Sequence, residues 1–164
     1  MVWTCGTLSA TPENGRGGRP VVAHPPCRMW GRLRTFAKPA EGEREMCIWA
    51  AEQVRRFGGV LEHPAGSLLW EAAGLPFPGQ RTADGFTLPV SQWWWGHKAD
   101  KRSWFYVSRI DMDSLPPIPY RMGEPDFICG GSRRKGRPEI TKAEREHTPL
   151  ALAQWLVAAA RMAA

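Results

Sequence analysis

The sequence predicts an α/β fold, and three observations predict it. Two short apolar runs, Val21–Ala23 and Val60–Leu61, each end at a polar loop. Between them the segment Glu43–Phe57 carries apolar residues at helical spacing. After them, Phe86–Val90 and Trp104–Val107 read as strands around a tryptophan-rich segment, which makes the second half β-rich. At 164 residues the chain has the length of one domain with a real core. The expected organisation is a flexible lead-in over residues 1–20 and a single α/β domain over residues 21–164.

The lead-in is polar and rich in Gly and Pro, with Pro12-Glu13-Asn14-Gly15-Arg16-Gly17-Gly18. Strand Val21–Ala23 follows and gives way to His24-Pro25-Pro26-Cys27. Arg28–Ala40 is a basic loop closed by Pro39. In the helix, Met46, Trp49, Ala50, Val54 and Phe57 recur at three- and four-residue steps and form the expected core stripe. Glu41, Glu43 and Glu45 stand at its start and Arg55 and Arg56 at its end, as the helix dipole favours. Gly58-Gly59 stops it, and the next strand starts at once. Strand, helix, strand in this order is a β-α-β unit with parallel strands. It places Cys27 and Glu62 at one edge of the sheet, the edge where open α/β sheets bind ligands.

Further along, Ser67–Ala73 predicts a short helix ended by Gly74, and Leu75–Asp84 a loop. Gln92–Lys98 reads as strand running into loop, so at most two of Trp93, Trp94 and Trp95 share a face. Ser114–Arg137 is irregular. Thr148 as N-cap and Pro149 at the first helical position open a last helix with Leu152, Trp155, Leu156 and Ala159 on its apolar stripe.

The net charge of +6 suits a polyanionic partner. The basic residues cluster: Arg28, Arg32 and Arg34 after Cys27, then Lys98, Lys101 and Arg102, then Arg133, Arg134, Lys135 and Arg137. Such clusters supply phosphate contacts to DNA, or are simply solvated loops. No apolar run is long enough to span a bilayer, and no secretory leader pattern opens the chain, so the expectation is a cytoplasmic protein without a membrane partner. Four widely spaced cysteines favour reduced thiols.

Pro25-Pro26-Cys27 resembles the Pro-Cys motif of DNA cytosine carbon-5 methyltransferases, and Glu62-His63-Pro64 resembles their Glu-Asn-Val motif. The chain is most similar to small phage and prophage proteins of that methyltransferase-like kind. These carry Pro-Pro-Cys, a helix, Glu-Asn-Pro-x-Gly, an aromatic-rich segment and a proline-rich tail. The counterparts here are Glu62-His63-Pro64-Ala65-Gly66, Trp95-Gly96-His97-Lys98, Lys101-Arg102-Ser103-Trp104 and Leu115-Pro116-Pro117-Ile118-Pro119, with a weaker echo in Glu144–Pro149.

The resemblance implies a minimal Rossmann-like, methyltransferase-type sheet that lacks its first β-α unit. It implies that Cys27 is a nucleophile that adds to carbon 6 of a flipped pyrimidine, and that Glu62 holds the base. Pro26, Arg28, Trp30, Arg32, His63, His97 and Lys98 are the candidate substrate contacts, with Trp30 the base-stacking residue of the basic loop. Two departures stand out. No glycine-rich strand-loop for S-adenosylmethionine precedes Pro-Pro-Cys, so the cofactor is unknown, or S-adenosylmethionine arrives through a partner protein or an unusual site. His63 replaces the usual Asn. The alternatives are a non-catalytic DNA-binding or accessory subunit, or an inert Cys27 with Glu62 as a helix cap. A metal set of His24, Cys27, His63 and His97 is disfavoured by the stiff Pro25-Pro26 link and the lack of a second Cys pair, and no metal is expected.

Overall fold

The computed structural model describes residues 19–32, 34–130 and 136–163. The lead-in up to residue 18, and Arg133, Arg134 and Lys135 of the last basic run, lie outside the described residues. One mixed five-stranded sheet organises the rest. Its strands are β1 (Val21–Ala23), β2 (Gly59–Pro64), β3 (Arg81–Thr82), β4 (Gly85–Ser91) and β5 (Arg102–Ser108), in spatial order β1-β2-β5-β4-β3. The α-helices are α1 (Glu43–Phe57), α2 (Leu69–Ala72), α3 (Lys142–Glu146) and α4 (Leu150–Ala160).

β1 and β2 pair in parallel with Val22 opposite Val60 and Ala23 opposite Leu61, and α1 connects them, as the β-α-β reading requires. The other pairings, β2–β5, β5–β4 and β4–β3, are antiparallel. Gly59 does more than end the helix. It lies opposite Val21, and a side chain there would meet the Val21 carbonyl oxygen at 2.0 Å. Only glycine lets β1 lie this close to the start of β2.

Helices cover both faces of the sheet. On one, Val22, Val60, Phe105 and Val107 pack against Leu152, Trp155, Leu156 and Ala159 of α4, the stripe the sequence predicts. On the other, Ala23, Leu61 and Tyr106 pack against Cys47, Ala51 and Val54 of α1 and Leu69 and Trp70 of α2.

Several expectations shift. The buried face of α1 runs through Cys47, Ala51 and Val54, about one position round from the predicted stripe, and Trp49 lies on the exposed side. Small residues at 47 and 51 bring the helix close to the sheet, which a bulky Trp would prevent. Gln92–Trp95 is a 3-10 turn rather than a strand: the Ser91 hydroxyl accepts from Trp93 N–H, and Gly96 ends it in the left-handed region. Trp93 and Trp95 are nevertheless buried, Trp95 against Phe105 and Trp155. α4 starts one residue later than predicted, at Leu150. α3, opened by a Thr141–Glu144 capping box, was not expected from the sequence.

Candidate active site

The site lies in a notch left by unequal strands. β1 ends at Ala23, opposite Leu61, while β2 continues to Pro64. The next residues, His24 and Glu62, therefore fall side by side on the face shared by Val22 and Val60. Glu62 thus sits inside β2, opposite Phe105, and not at the strand end where the sequence reading puts it.

The Glu62 carboxylate is buried and fully engaged. Ser103 Oγ donates to its Oε1 at 2.6 Å, Gln92 Nε2 donates to the same oxygen at 2.9 Å, and His24 Nδ1 meets Oε2 at 3.1 Å. Gln92 Nε2 also donates to Ser103 Oγ at 2.9 Å, which spends both amide hydrogens and fixes the amide's orientation. Burial pushes the Glu62 pKa up, but the His24 hydrogen bond and charge, Lys101 and Ser103 outweigh it and hold the carboxyl at about 2. Glu62 is a carboxylate at neutral pH.

Pro25-Pro26 carries the chain off the end of β1 and delivers Cys27 at the surface. The Cys27 carbonyl accepts from Trp30 N–H at 3.1 Å and Gly31 N–H at 2.8 Å, so Cys27 opens a tight turn, and the residue's own backbone N–H faces its sulfur. Although the residue is exposed, the chain around its sulfur shields the thiolate. That desolvation, followed by the Glu62 charge, pushes the thiol up; Lys101 acts the other way. The free protein therefore holds a thiol beside a carboxylate, with Lys101 as the nearby cation.

This charge balance predicts an unusual pair of effects for Glu62→Gln. The amide can accept from Ser103 and Gln92 through its oxygen and donate to a neutral His24, so the fold is kept. Removing the negative charge lowers the Cys27 pKa. Iodoacetamide should then alkylate Cys27 several-fold faster at neutral pH than in wild type, while turnover falls. Slower alkylation would show that Glu62 does not act on the thiol.

The other predicted contacts divide. Pro26 is partly exposed, and its carbonyl accepts from the Cys47 thiol at 3.3 Å, which ties the loop to α1. Arg28 pairs with the buried Glu43 and anchors the loop's root. Arg32 is exposed. Trp30 is not a surface stacking residue: it is buried in the α1 core, with Arg44 over its ring at 5.5 Å. His63 alternates to the face opposite Glu62 and is fully buried, its Nδ1 2.7 Å from Ser67 Oγ. His97 is buried too; its Nδ1 lies 2.9 Å from the Ala99 carbonyl oxygen and 3.1 Å from Ala99 N–H, and its Nε2 lies 3.1 Å from the Glu144 carbonyl oxygen. Lys98 pairs with Glu144. His97 and Lys98 are thus engaged with Ala99 and Glu144 rather than with Cys27 or Glu62. Among the described residues, no group of three or more His, Cys, Asp or Glu is arranged to hold a metal ion.

Sequence reasoning missed Gln92 and Ser103 and saw His24 only as a metal ligand. Gln92 and Ser103 reach Glu62 from 30 and 41 residues away, and no local pattern announces that. Compared with protein families, curated proteins and solved structures, the chain matches none. No helix among the described residues is long and apolar enough to cross a membrane.

Proposed function

We propose that this chain is a phage or prophage DNA-modification enzyme related to DNA cytosine carbon-5 methyltransferases, acting on an unstacked pyrimidine through Cys27. The β1-α1-β2 unit is then what remains of a Rossmann-like, methyltransferase-type sheet. The observation that carries the reading is that an exposed thiol and a buried carboxylate lie at the same end of the paired strands β1 and β2, with the Glu62 charge acting on the thiol.

The resting protonation states suggest how the pair works. The Cys27 sulfur bonds to carbon 6, and the electron pair of the 5,6 double bond is displaced into the ring. The thiol proton ends on ring nitrogen 3, passing through Glu62. Since Glu62 starts ionised, it relays a proton rather than holding one in reserve. Carbon 5 is now enamine-like and takes an electrophile; loss of the carbon-5 proton to solvent and expulsion of sulfur, with the nitrogen-3 proton returning through Glu62 to the thiolate, restore the neutral aromatic ring and the thiol. Gln92, Ser103 and His24 keep the carboxylate aimed throughout.

The residues present do not fit S-adenosylmethionine. Among the described residues, neither connection from a parallel strand to a helix, the Cys27 loop after β1 or the short link 65–68 between β2 and α2, is a glycine-rich loop. The electrophile comes from a partner protein that supplies the cofactor half, or from a donor of other chemistry. A raised thiol pKa also favours a second reading, a non-catalytic DNA-binding or accessory subunit.

Exchange of the cytosine carbon-5 hydrogen separates the two and needs no donor. Addition at carbon 6 lets carbon 5 pick up a solvent deuteron, and elimination returns labelled cytosine. In heavy water, the proton signal at carbon 5 of a cytosine-containing DNA should fade with wild type and persist with Cys27→Ser. No exchange by wild type would favour the accessory subunit.

A further inference from the structure

The basic loop that begins at Cys27 holds a second feature that the chemistry above does not use. We infer that Phe36 is a stacking platform for an unstacked nucleobase, with Arg32, Arg34 and Lys38 on the flanking phosphates. This rests on the proposal that the ligand is DNA.

The loop is built of linked turns. Trp30 and Gly31 donate to the Cys27 carbonyl, Arg34 N–H donates to the Gly31 carbonyl at 3.2 Å, and Ala37 N–H to the Arg34 carbonyl at 3.2 Å. The last of these encloses the 3-10 turn Arg34–Phe36. Nine residues, even fully extended at about 3.5 Å each, keep Phe36 within about 32 Å of Cys27, a span of several nucleotides. The Phe36 ring is 85% exposed. A single exposed apolar side chain needs no explanation by itself. Its neighbours give it one.

Two cations near this loop are already spent, Arg28 on Glu43 and Arg44 on the Trp30 ring. Arg32, Arg34 and Lys38 are exposed and make no side-chain hydrogen bond or ion pair among the described residues. A flat apolar ring between uncommitted cations matches a ligand that alternates phosphates with π-faces. Trp30, the residue composition would choose for stacking, is locked in the core, so Phe36 is the loop's available ring.

The test uses the full chain and fluorescence anisotropy, with two labelled duplexes of equal length, one fully paired and one with a single unpaired base, over a range of salt. Wild type should bind the unpaired-base duplex more tightly. Phe36→Ala should lose about tenfold on that duplex, with little change on the paired one or in salt slope. Phe36→Trp should restore affinity, and its fluorescence should be quenched on binding. Arg34→Ala should weaken both complexes and reduce the salt slope by about one. An unchanged melting temperature for Phe36→Ala is expected from the ring's exposure and shows that the fold is intact. If Phe36→Ala binds both duplexes like wild type, the platform is wrong and the DNA reading stands. If wild type binds neither duplex, both fall. Wild-type binding to anionic phosphatidylglycerol vesicles that is lost in Phe36→Ala, without any base preference, would assign the loop to a membrane surface and overturn the inference.

Discussion

Cys27→Ser should abolish carbon-5 exchange and any base modification while leaving DNA affinity within about twofold of wild type, because affinity rests on phosphate contacts that the change does not touch. Three features make this a clean experiment. The residue is exposed, the turn is held by the Cys27 backbone carbonyl, and serine keeps that carbonyl in place. A serine hydroxyl is a far weaker nucleophile with no strong base beside it to take its proton. Thiol and carboxylate act as one unit in the proposed step, so Glu62→Gln added to Cys27→Ser should cost little more than Cys27→Ser alone. Full exchange by Cys27→Ser would remove the nucleophile assignment, whatever the role of the loop.

His63 should make the protein acid-labile, and His63→Asn should reduce that lability. Burial pushes its pKa down from the ordinary 6.5 to about 4, against the raising effect of the Glu62 charge. The folded protein thus holds a neutral imidazole where the unfolded chain holds a charged one below pH 6.5. The unfolded state binds more protons between those two values, so stability is complete above about 6.5 and falls as pH drops toward about 4. At 1.4 kcal/mol per pH unit the loss reaches about 3 kcal/mol. Glu62 adds a second, more acidic window. Its pKa is depressed to about 2, so its contribution is present above about 4.5 and is lost as the pH falls from there toward about 2. In His63→Asn, the amide oxygen can accept from Ser67 as Nδ1 does and does not titrate. Thermal melts of this variant should start lower at neutral pH, since the ring volume is lost, yet fall less steeply than wild type between about pH 6.5 and 4.5, the remaining slope coming from His97, whose pKa burial also lowers. A wild-type-like slope in that interval would assign the acid sensitivity to another group.

Part of this site was readable from local pattern. The β-α-β order brings Cys27 and Glu62 to one end of two adjacent parallel strands, and the structure pairs those strands in that sense. The α4 stripe was readable because three large apolar residues and an alanine at helical spacing leave one way to bury them. The α1 stripe was not. There, small residues at 47 and 51 decide which face meets the sheet, and the larger Trp49 is turned outward. Trp30 misled in the opposite direction: a tryptophan in a basic loop suggests a surface platform, but the loop folds back so that its ring fills the core beside Cys47 and Ala51.

The sequence by itself determined the α/β class, the limits of β1 and α1, the adjacency of β1 and β2, and the thiol and carboxylate at their shared end. These depend on side-chain periodicity and chain stops within about fifteen residues, which are local properties. Only the tertiary structure decided that Glu62 lies inside its strand, that Gln92, Ser103 and His24 hold it ionised, and that the Cys27 thiol is raised beside it. The physical reason is register. Which side chains meet across a sheet is fixed by strand pairing between distant segments, and a shift of one residue would move Ser103 away from Glu62 to the opposite face.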